Sequence, residues 1–122
     1  MLASSRLNGF FPTKDAAKAR RFYEGILGLT FESENEYVAV FRSGENMIIA
    51  QKVKEFVPVP QTILGWEVRD IKKVVTFLAE KGVAFERYGY MEQDELGIWK
   101  SPDGKVAWFK DPDGNVLSVS EH

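Results

Sequence analysis

The sequence predicts an α+β fold built from two tandem copies of a βαβββ unit. A pattern that begins at Asp15 recurs at Asp70, and short apolar runs of strand length flank each copy. A chain of 122 residues is the size of one domain and can bury a core. We therefore expect a single domain, with repeat units at about residues 5–51 and 61–120 and a connection at 52–60.

Each copy contains an amphipathic helix with the same start and stop signals. Asp15 and Asp70 are placed to cap the first turn, and Gly28 and Gly82 stand where a left-handed residue commonly ends a helix. The first segment holds one residue more than the second between its Asp and its Gly. The apolar stripes are Ala19, Phe22, Tyr23, Ile26 and Leu27 in the first helix, and Ile71, Val74, Val75 and Leu78 in the second.

The apolar runs around the helices predict the strands. These runs are LNGFFPTK, LTFES, YVAVFRS and NMIIAQ in the first copy, and TILGWEVR, AFERY, LGIWKS, KVAWFK and NVLSVS in the second. SPDGK (101–105) predicts a hairpin turn, while two prolines make a central strand within 52–60 unlikely to form. Packed together, the two units would place their helices outside and curl a mixed sheet around a shared groove, the natural ligand site.

Composition and charge exclude several classes of function. A net charge of −2 argues against nucleic-acid binding, and the absence of cysteine excludes disulfides, thiolate nucleophiles and zinc–thiolate sites. The chain has no apolar run long enough to cross a membrane, so we expect a cytoplasmic protein without membrane or nucleic-acid partners. The single histidine, His122, is expected to be a disordered, solvent-facing chain end, which leaves no imidazole for catalysis or metal binding.

Two segments, DAAKARRFYEGILGL and WFKDPDGNVLSV, set in tandem βαβββ units, resemble the vicinal oxygen chelate superfamily. That group includes glyoxalase I, extradiol dioxygenases and the bleomycin-resistance proteins, and the resemblance spans nearly the whole chain. It implies a groove that in the enzymes holds a divalent metal. The positions that the resemblance assigns to metal ligands carry Asn8, Ile63 and Ser118, and residues 47–51 contain no carboxylate. These side chains cannot replace carboxylates and imidazole, so we expect no metal and no cofactor.

Strand alternation indicates which side chains would line the groove. Asn8 and Phe10 share a face, as do Ile63, Gly65 and Glu67, while Trp108 is assigned to the groove and Phe109 to the core. The predicted ligand-binding residues are Asn8, Phe10, Tyr37, Met47, Glu67, Trp99, Trp108 and Ser118. Glu67 is also the candidate catalytic base, because a carboxylate in an apolar groove would have a raised pKa. A solvated rim position for Glu67 is the alternative.

Three functions remain open on this basis. The first is metal-independent binding or sequestration of an aromatic or amphipathic small molecule, bleomycin-resistance-like, in a homodimer such as the resemblance implies. The second is a glyoxalase-like or dioxygenase-like lyase or isomerase with a non-standard or oxygen-only site. The third is a structural or regulatory module whose groove is filled by its own side chains. The polar segment at residues 89–96, GYMEQDEL, is expected to be a surface loop or a flap over the groove.

Overall fold

The computed structural model describes residues 1–122, which divide into two compact units, Met1–Val57 and Pro58–His122. A 3₁₀ turn at Leu2–Ser4 precedes the first unit's strands. That unit comprises β1 (Asn8–Thr13), α1 (Ala16–Arg20), a π-helical turn (Arg21–Ile26), β2 (Thr30–Glu34), β3 (Val38–Ser43) and β4 (Asn46–Lys52). The second comprises β5 (Thr62–Glu67), α2 (Ile71–Glu80), β6 (Trp99–Ser101), β7 (Gly104–Lys110) and β8 (Val116–Glu121). The predicted α+β class and the βαβββ order are confirmed.

Each unit forms a four-stranded mixed sheet with the same topology. The strand orders are β1-β4-β3-β2 and β5-β8-β7-β6. The first strand of each unit pairs in parallel with the last, and the other pairs are antiparallel. Because the last strand of each unit pairs with its first, distant segments of the chain lie side by side. All of the candidate site residues except Tyr37 lie on strands of these two sheets.

The helix boundaries predicted from the sequence are confirmed. The Oδ1 atoms of Asp15 and Asp70 accept hydrogen bonds from the amides of Lys18 and Lys73, each at 3.1 Å. These contacts satisfy amides that have no partner within the helix. Past the helices, Gly28 and Gly82 have φ values of +80° and +96°, a conformation that side chains with a Cβ rarely adopt.

The extra residue of the first helical segment is accommodated by the π-helical turn. The amide of Leu27 donates to the carbonyl of Phe22 at 2.9 Å, five residues back rather than four. A π turn holds one residue more than the α turn it replaces. The capping Asp and the terminal Gly therefore keep equivalent places in both units despite the different spacing.

The core of each unit lies between its helix and one face of its sheet. In the first unit the ring of Tyr23, fully buried, stacks on Phe11 with centroids 4.3 Å apart. In the second, Val75 and Leu78 on α2 are buried, as is Phe109 on β7. Strand alternation then leaves the opposite face of each sheet free of helix contacts.

One predicted strand, AFERY, is wrong. Residue Phe85 makes a single antiparallel bridge to Phe109, and the amide of Glu86 donates to the carbonyl of Trp108 at 2.8 Å. Strand pairing ends there because the Gln93 side chain forms hydrogen bonds with the backbone groups that follow. Its Oε1 accepts from the Tyr88 amide at 2.8 Å, and its Nε2 donates to the Glu86 carbonyl at 2.9 Å.

The predicted strand LGIWKS forms only in its last three residues, which are β6. The preceding residues are held by Asp94, whose Oδ1 accepts from the amides of Leu96 and Ile98, both at 2.9 Å. The 89–96 segment is therefore a hydrogen-bonded surface loop. The hairpin predicted at SPDGK is confirmed, since Ser101 pairs with Gly104 at its end.

Candidate functional site

The turn between β7 and β8 is built around a buried carboxylate. Asp111 is 5% exposed, and its Oδ1 accepts from the amides of Asp113 and Asn115, both at 2.9 Å. Its Oδ2 accepts from the Asn115 side-chain amide at the same distance. This network fixes the turn, so the Asp-Pro-Asp-Gly-Asn sequence has a structural role: it sets the register of β8 on β7.

That register places two rows of side chains on the sheet face of the second unit that lies opposite α2. In one row Gly65, Ser118 and Trp108 are neighbours across β5, β8 and β7. The other row runs from Glu67 through Ser120 and Val106 to Trp99. The predicted residues Glu67, Trp99, Trp108 and Ser118 therefore share one face.

Four aromatic rings form a continuous group on this side of the second unit. Trp108 lies 6.0 Å from Trp99 and 5.6 Å from Tyr88, measured between ring centroids, and Tyr88 lies 5.8 Å from Tyr90. We call these four residues the aromatic cluster. Tyr90 is 82% exposed and the other three rings are partly exposed. Rings in a filled core would be covered, so this cluster leaves aromatic surface open to a ligand.

The phenol of Tyr88 is the more buried of the two phenols in the aromatic cluster. Burial raises the pKa of Tyr88, and the negative charge of Glu86 and the neighbouring phenol of Tyr90 raise it further. The phenol therefore stays protonated at neutral pH and can donate a hydrogen bond. Glu86 itself is ion-paired with Lys110 at 3.5 Å.

Beside Trp108, the row contains a position without a side chain. A Cβ added at Gly65 would lie 2.5 Å from Ser118 Oγ, so the serine hydroxyl occupies the space that a side chain at residue 65 would need. The backbone of β5 and the Ser118 hydroxyl thus form a shallow floor next to the indole. A planar group resting on Trp108 could extend over this floor.

The first unit presents a second, smaller set of predicted residues. Asn8 lies opposite Met47, which lies opposite Arg42, and Phe10 pairs with Ile49 in the next row. Phe10 is 52% exposed, so this face also has uncovered apolar surface.

Tyr37 does not belong to this set. It is 70% exposed in the turn that joins β2 to β3, where Asn35 Oδ1 accepts from its amide at 2.7 Å.

Glu67 lies in a solvated environment. Its side chain is 71% exposed, and its Oε1 lies 2.9 Å from Nδ1 of His122. The apolar surroundings that would make Glu67 a general base are not found around it. The sequence predicts that His122 is a disordered chain end, and the structure instead places its ring against Glu67. No local sequence pattern indicates a contact between residues so far apart in the chain.

The side chains at the positions where the resemblance implies metal ligands do not fit a divalent ion. No group of three or more His, Cys, Asp or Glu residues comes close enough to hold a metal. Ile63 also lies at an irregularity between Thr62 and Leu64, outside the regular pairing of β5 with β8. Ser118 and Asn8 supply neutral oxygens only, which bind such ions weakly.

Two members of the aromatic cluster, Tyr88 and Tyr90, were missed by the sequence reasoning. The signal is the Tyr-Gly-Tyr of residues 88–90, whose first tyrosine is the last residue of AFERY. The sequence predicts a strand that ends at Tyr88 and a loop at 89–96, so the two tyrosines lie in different predicted elements. The bridge between Phe85 and Phe109 is what brings Tyr88 to Trp108.

Two tandem βαβββ units, each with a four-stranded mixed sheet, define the class of fold to which this protein belongs. Residues 8–119 match the family described as the Glyoxalase/Bleomycin resistance protein/Dioxygenase superfamily. The chain belongs to this superfamily. Comparison with curated protein sequences gave no match.

Solved structures with the same fold include proteins of different activities. TnmS3, described as an antibiotic binding protein from Streptomyces sp. CB03234, superposes with a TM-score of 0.76 at 21% identity, covering 99% of this chain and 98% of that one. UcmS2 superposes with a TM-score of 0.73 at 20% identity, covering 95% and 97%. A lactoylglutathione lyase from Agrobacterium tumefaciens gives 0.75 at 16% identity, covering 97% and 93%. At these identities the likeness establishes the fold alone.

No helix of the protein combines the length and the apolar character needed to cross a lipid bilayer.

Proposed function

We propose that this protein binds and sequesters an aromatic or amphipathic small molecule without a metal ion. The observation that carries the proposal is the aromatic cluster, in which Trp99, Trp108, Tyr88 and Tyr90 form a continuous, partly exposed group of rings. Aromatic pairs contribute about 0.5–1.5 kcal/mol beyond their buried area, so several rings together can hold a planar ligand.

The cluster is suited to binding because its indoles are already held in place. Trp99 and Trp108 stand on the paired strands β6 and β7, one row apart. Side chains fixed on strands lose little conformational freedom when a ligand arrives, which favours affinity. The Ser118 hydroxyl and the Tyr88 phenol add hydrogen-bonding groups at the edge of the rings, and these would orient a ligand that carries polar substituents.

Chemical conversion of the ligand has less support. The superfamily's metal-dependent reactions need donors that this chain lacks at the corresponding positions. Glu67, the one candidate base, is solvated and contacts His122. TnmS3, which shares the fold, is described as an antibiotic binding protein, so small-molecule binding has a precedent in this fold. We therefore favour sequestration over the lyase or isomerase alternative.

Calorimetric titration with a panel of planar aromatic compounds, in excess chelator, tests the proposal. We expect saturable binding that Trp108→Leu weakens about three- to tenfold, because the ligand loses one aromatic contact. Trp66→Leu is the matched control. Trp66 lies on β5 opposite Val119, which is buried, so the same substitution removes an indole from the helix-facing side.

Two results would overturn the proposal. Equal loss of affinity in both variants would mean that the ligand does not contact the aromatic cluster. Binding that appears only after a divalent metal is added would show that the protein does hold an ion. Circular dichroism of both variants establishes that each is folded before the affinities are compared.

A further inference from the structure

The second unit contains a cavity of about 540 Å³ beside the first turn of α2. It lies between that turn, the loop that precedes β6, and the β6–β7 hairpin, and its charged lining includes Lys72, Lys100 and Lys105. This volume is within the range of small-molecule sites. We call it the lysine cavity, and its lysines take no part in the aromatic cluster.

Two of these lysines lie directly opposite each other on neighbouring strands. Lys100 and Lys105 are direct partners in the antiparallel pairing of β6 with β7. Like charges directly opposite each other on neighbouring strands destabilise a sheet. Lys72 contributes a third positive charge from α2, and none of the three lysines is ion-paired, whereas Lys52 and Lys110 each contact a glutamate.

The carboxylates nearby form no ion pair with the three lysines. Asp94 lines the cavity, but its Oδ1 accepts from two backbone amides. Glu121 lies opposite Lys105 on β8, and its Oε1 accepts from the Ile71 amide at 3.3 Å. Glu92 also lines the cavity and is not ion-paired, so the lining retains more positive than negative charge.

Apart from Gln93, the rest of the lining is apolar. Ile71 and Ile98 are 1% and 7% exposed, and Trp99 also lines the cavity. A ligand that fits both parts of the lining has an anionic group and an apolar ring. We propose that the lysine cavity is a second binding site, for a small organic anion such as an aryl phosphate or an aryl carboxylate. This site does not depend on the function proposed for the aromatic cluster.

Calorimetric titration with phenyl phosphate tests this site. We expect saturable binding that weakens with added salt, and an affinity reduced about fivefold or more in Lys100→Gln/Lys105→Gln, since each exposed charge contributes modestly. The control is Lys73→Gln/Lys81→Gln, which removes the same charge from α2 and its C-terminal end, outside the lining of the cavity. We expect the control to bind phenyl phosphate as the unaltered protein does.

Three comparisons can overturn the proposal. An equal loss of phenyl phosphate affinity in the two double variants would mean that binding depends on the protein's net charge rather than on the lysines of the cavity. Inorganic phosphate that binds as tightly as phenyl phosphate would exclude a role for the apolar lining. Loss of phenyl phosphate binding in Trp108→Leu would place the probe on the aromatic cluster, whereas retained binding supports two separate sites.

Discussion

At the scale of single residues, we expect the largest loss of stability on substitution where a polar side chain is buried. Asp111 accepts from two backbone amides and from the Asn115 side chain. Buried groups of this kind stabilise a fold chiefly because losing one partner leaves the others unsatisfied. The hairpin between β6 and β7 contains the same Pro-Asp-Gly sequence, but Ser101 takes the place of the first aspartate and is only partly buried.

We predict that Asp111→Ala lowers the free energy of unfolding by about 2–4 kcal/mol, because three donors, two of them buried, lose their acceptor. Ser101→Ala is the matched control, since its hydroxyl accepts from the Asp103 amide at 3.2 Å and donates to the Gly104 carbonyl. We expect about 1 kcal/mol for this change. Urea unfolding measures both. A loss at Asp111 no greater than that at Ser101 would contradict the role assigned to the buried carboxylate.

At the scale of elements, the two helical segments begin and end with the same residue types but differ in their backbone hydrogen bonding: the first contains a π turn and α2 does not. Phe22 and Phe77 occupy matching positions after their capping aspartates, yet Phe22 is 8% exposed and Phe77 is 51% exposed. A π turn changes the angle between successive side chains, so the buried stripe of the first helix is rotated relative to that of α2. The two copies of the repeat therefore share the residues that begin and end the helix. The side chains between those ends are not buried in the same pattern in the two copies.

We predict that deleting Gly25, which lies in the π turn, converts that turn to α-helix and changes the free energy of unfolding by no more than about 1 kcal/mol. A Cβ at Gly25 would meet nothing within 4 Å, so no packing depends on this residue. Deleting Thr76 from α2 is the control. It moves Leu78, 5% exposed, to the exposed position of Phe77 and should cost about 2–4 kcal/mol.

Circular dichroism and urea unfolding distinguish the two deletions. Retained helix content in the Gly25 deletion, with a large loss of stability in the Thr76 deletion, is the expected pair of results. Equal destabilisation would show that the extra residue in the first helix has a packing role of its own.

At the scale of the whole molecule, we propose that the protein is a homodimer. The face of the first sheet opposite α1 presents Phe10, 52% exposed, next to Ile49 on the neighbouring strand. Exposed apolar side chains grouped on one face are typical of surfaces that a partner covers.

Light scattering coupled to gel filtration measures this assembly at micromolar concentration. We expect the mass of two chains, and we expect Phe10→Ser to shift the equilibrium towards one chain. Tyr37→Ser is the control, because Tyr37 is 70% exposed in the turn between β2 and β3 rather than on that face. A protein that elutes with the mass of one chain would contradict the proposal.

The sequence by itself determined the elements that depend on local chemistry. The two aspartate caps, the helix-ending glycines, the hairpin at SPDGK and the internal repeat were all predicted from neighbouring residues, and the structure confirms them. Caps and turns form between residues a few positions apart, so their signals are contained in short stretches.

The tertiary structure alone decided which of the candidate residues lie together. Tyr88 lies in the aromatic cluster because a single bridge between Phe85 and Phe109 holds its segment beside β7. His122 contacts Glu67 although 55 positions separate them in the sequence. AFERY has the composition of a strand, but the Gln93 side chain forms hydrogen bonds with the Glu86 carbonyl and the Tyr88 amide, so these groups do not pair with a strand. Such contacts join residues distant in sequence, and their geometry depends on how strands pair, which local propensity does not encode.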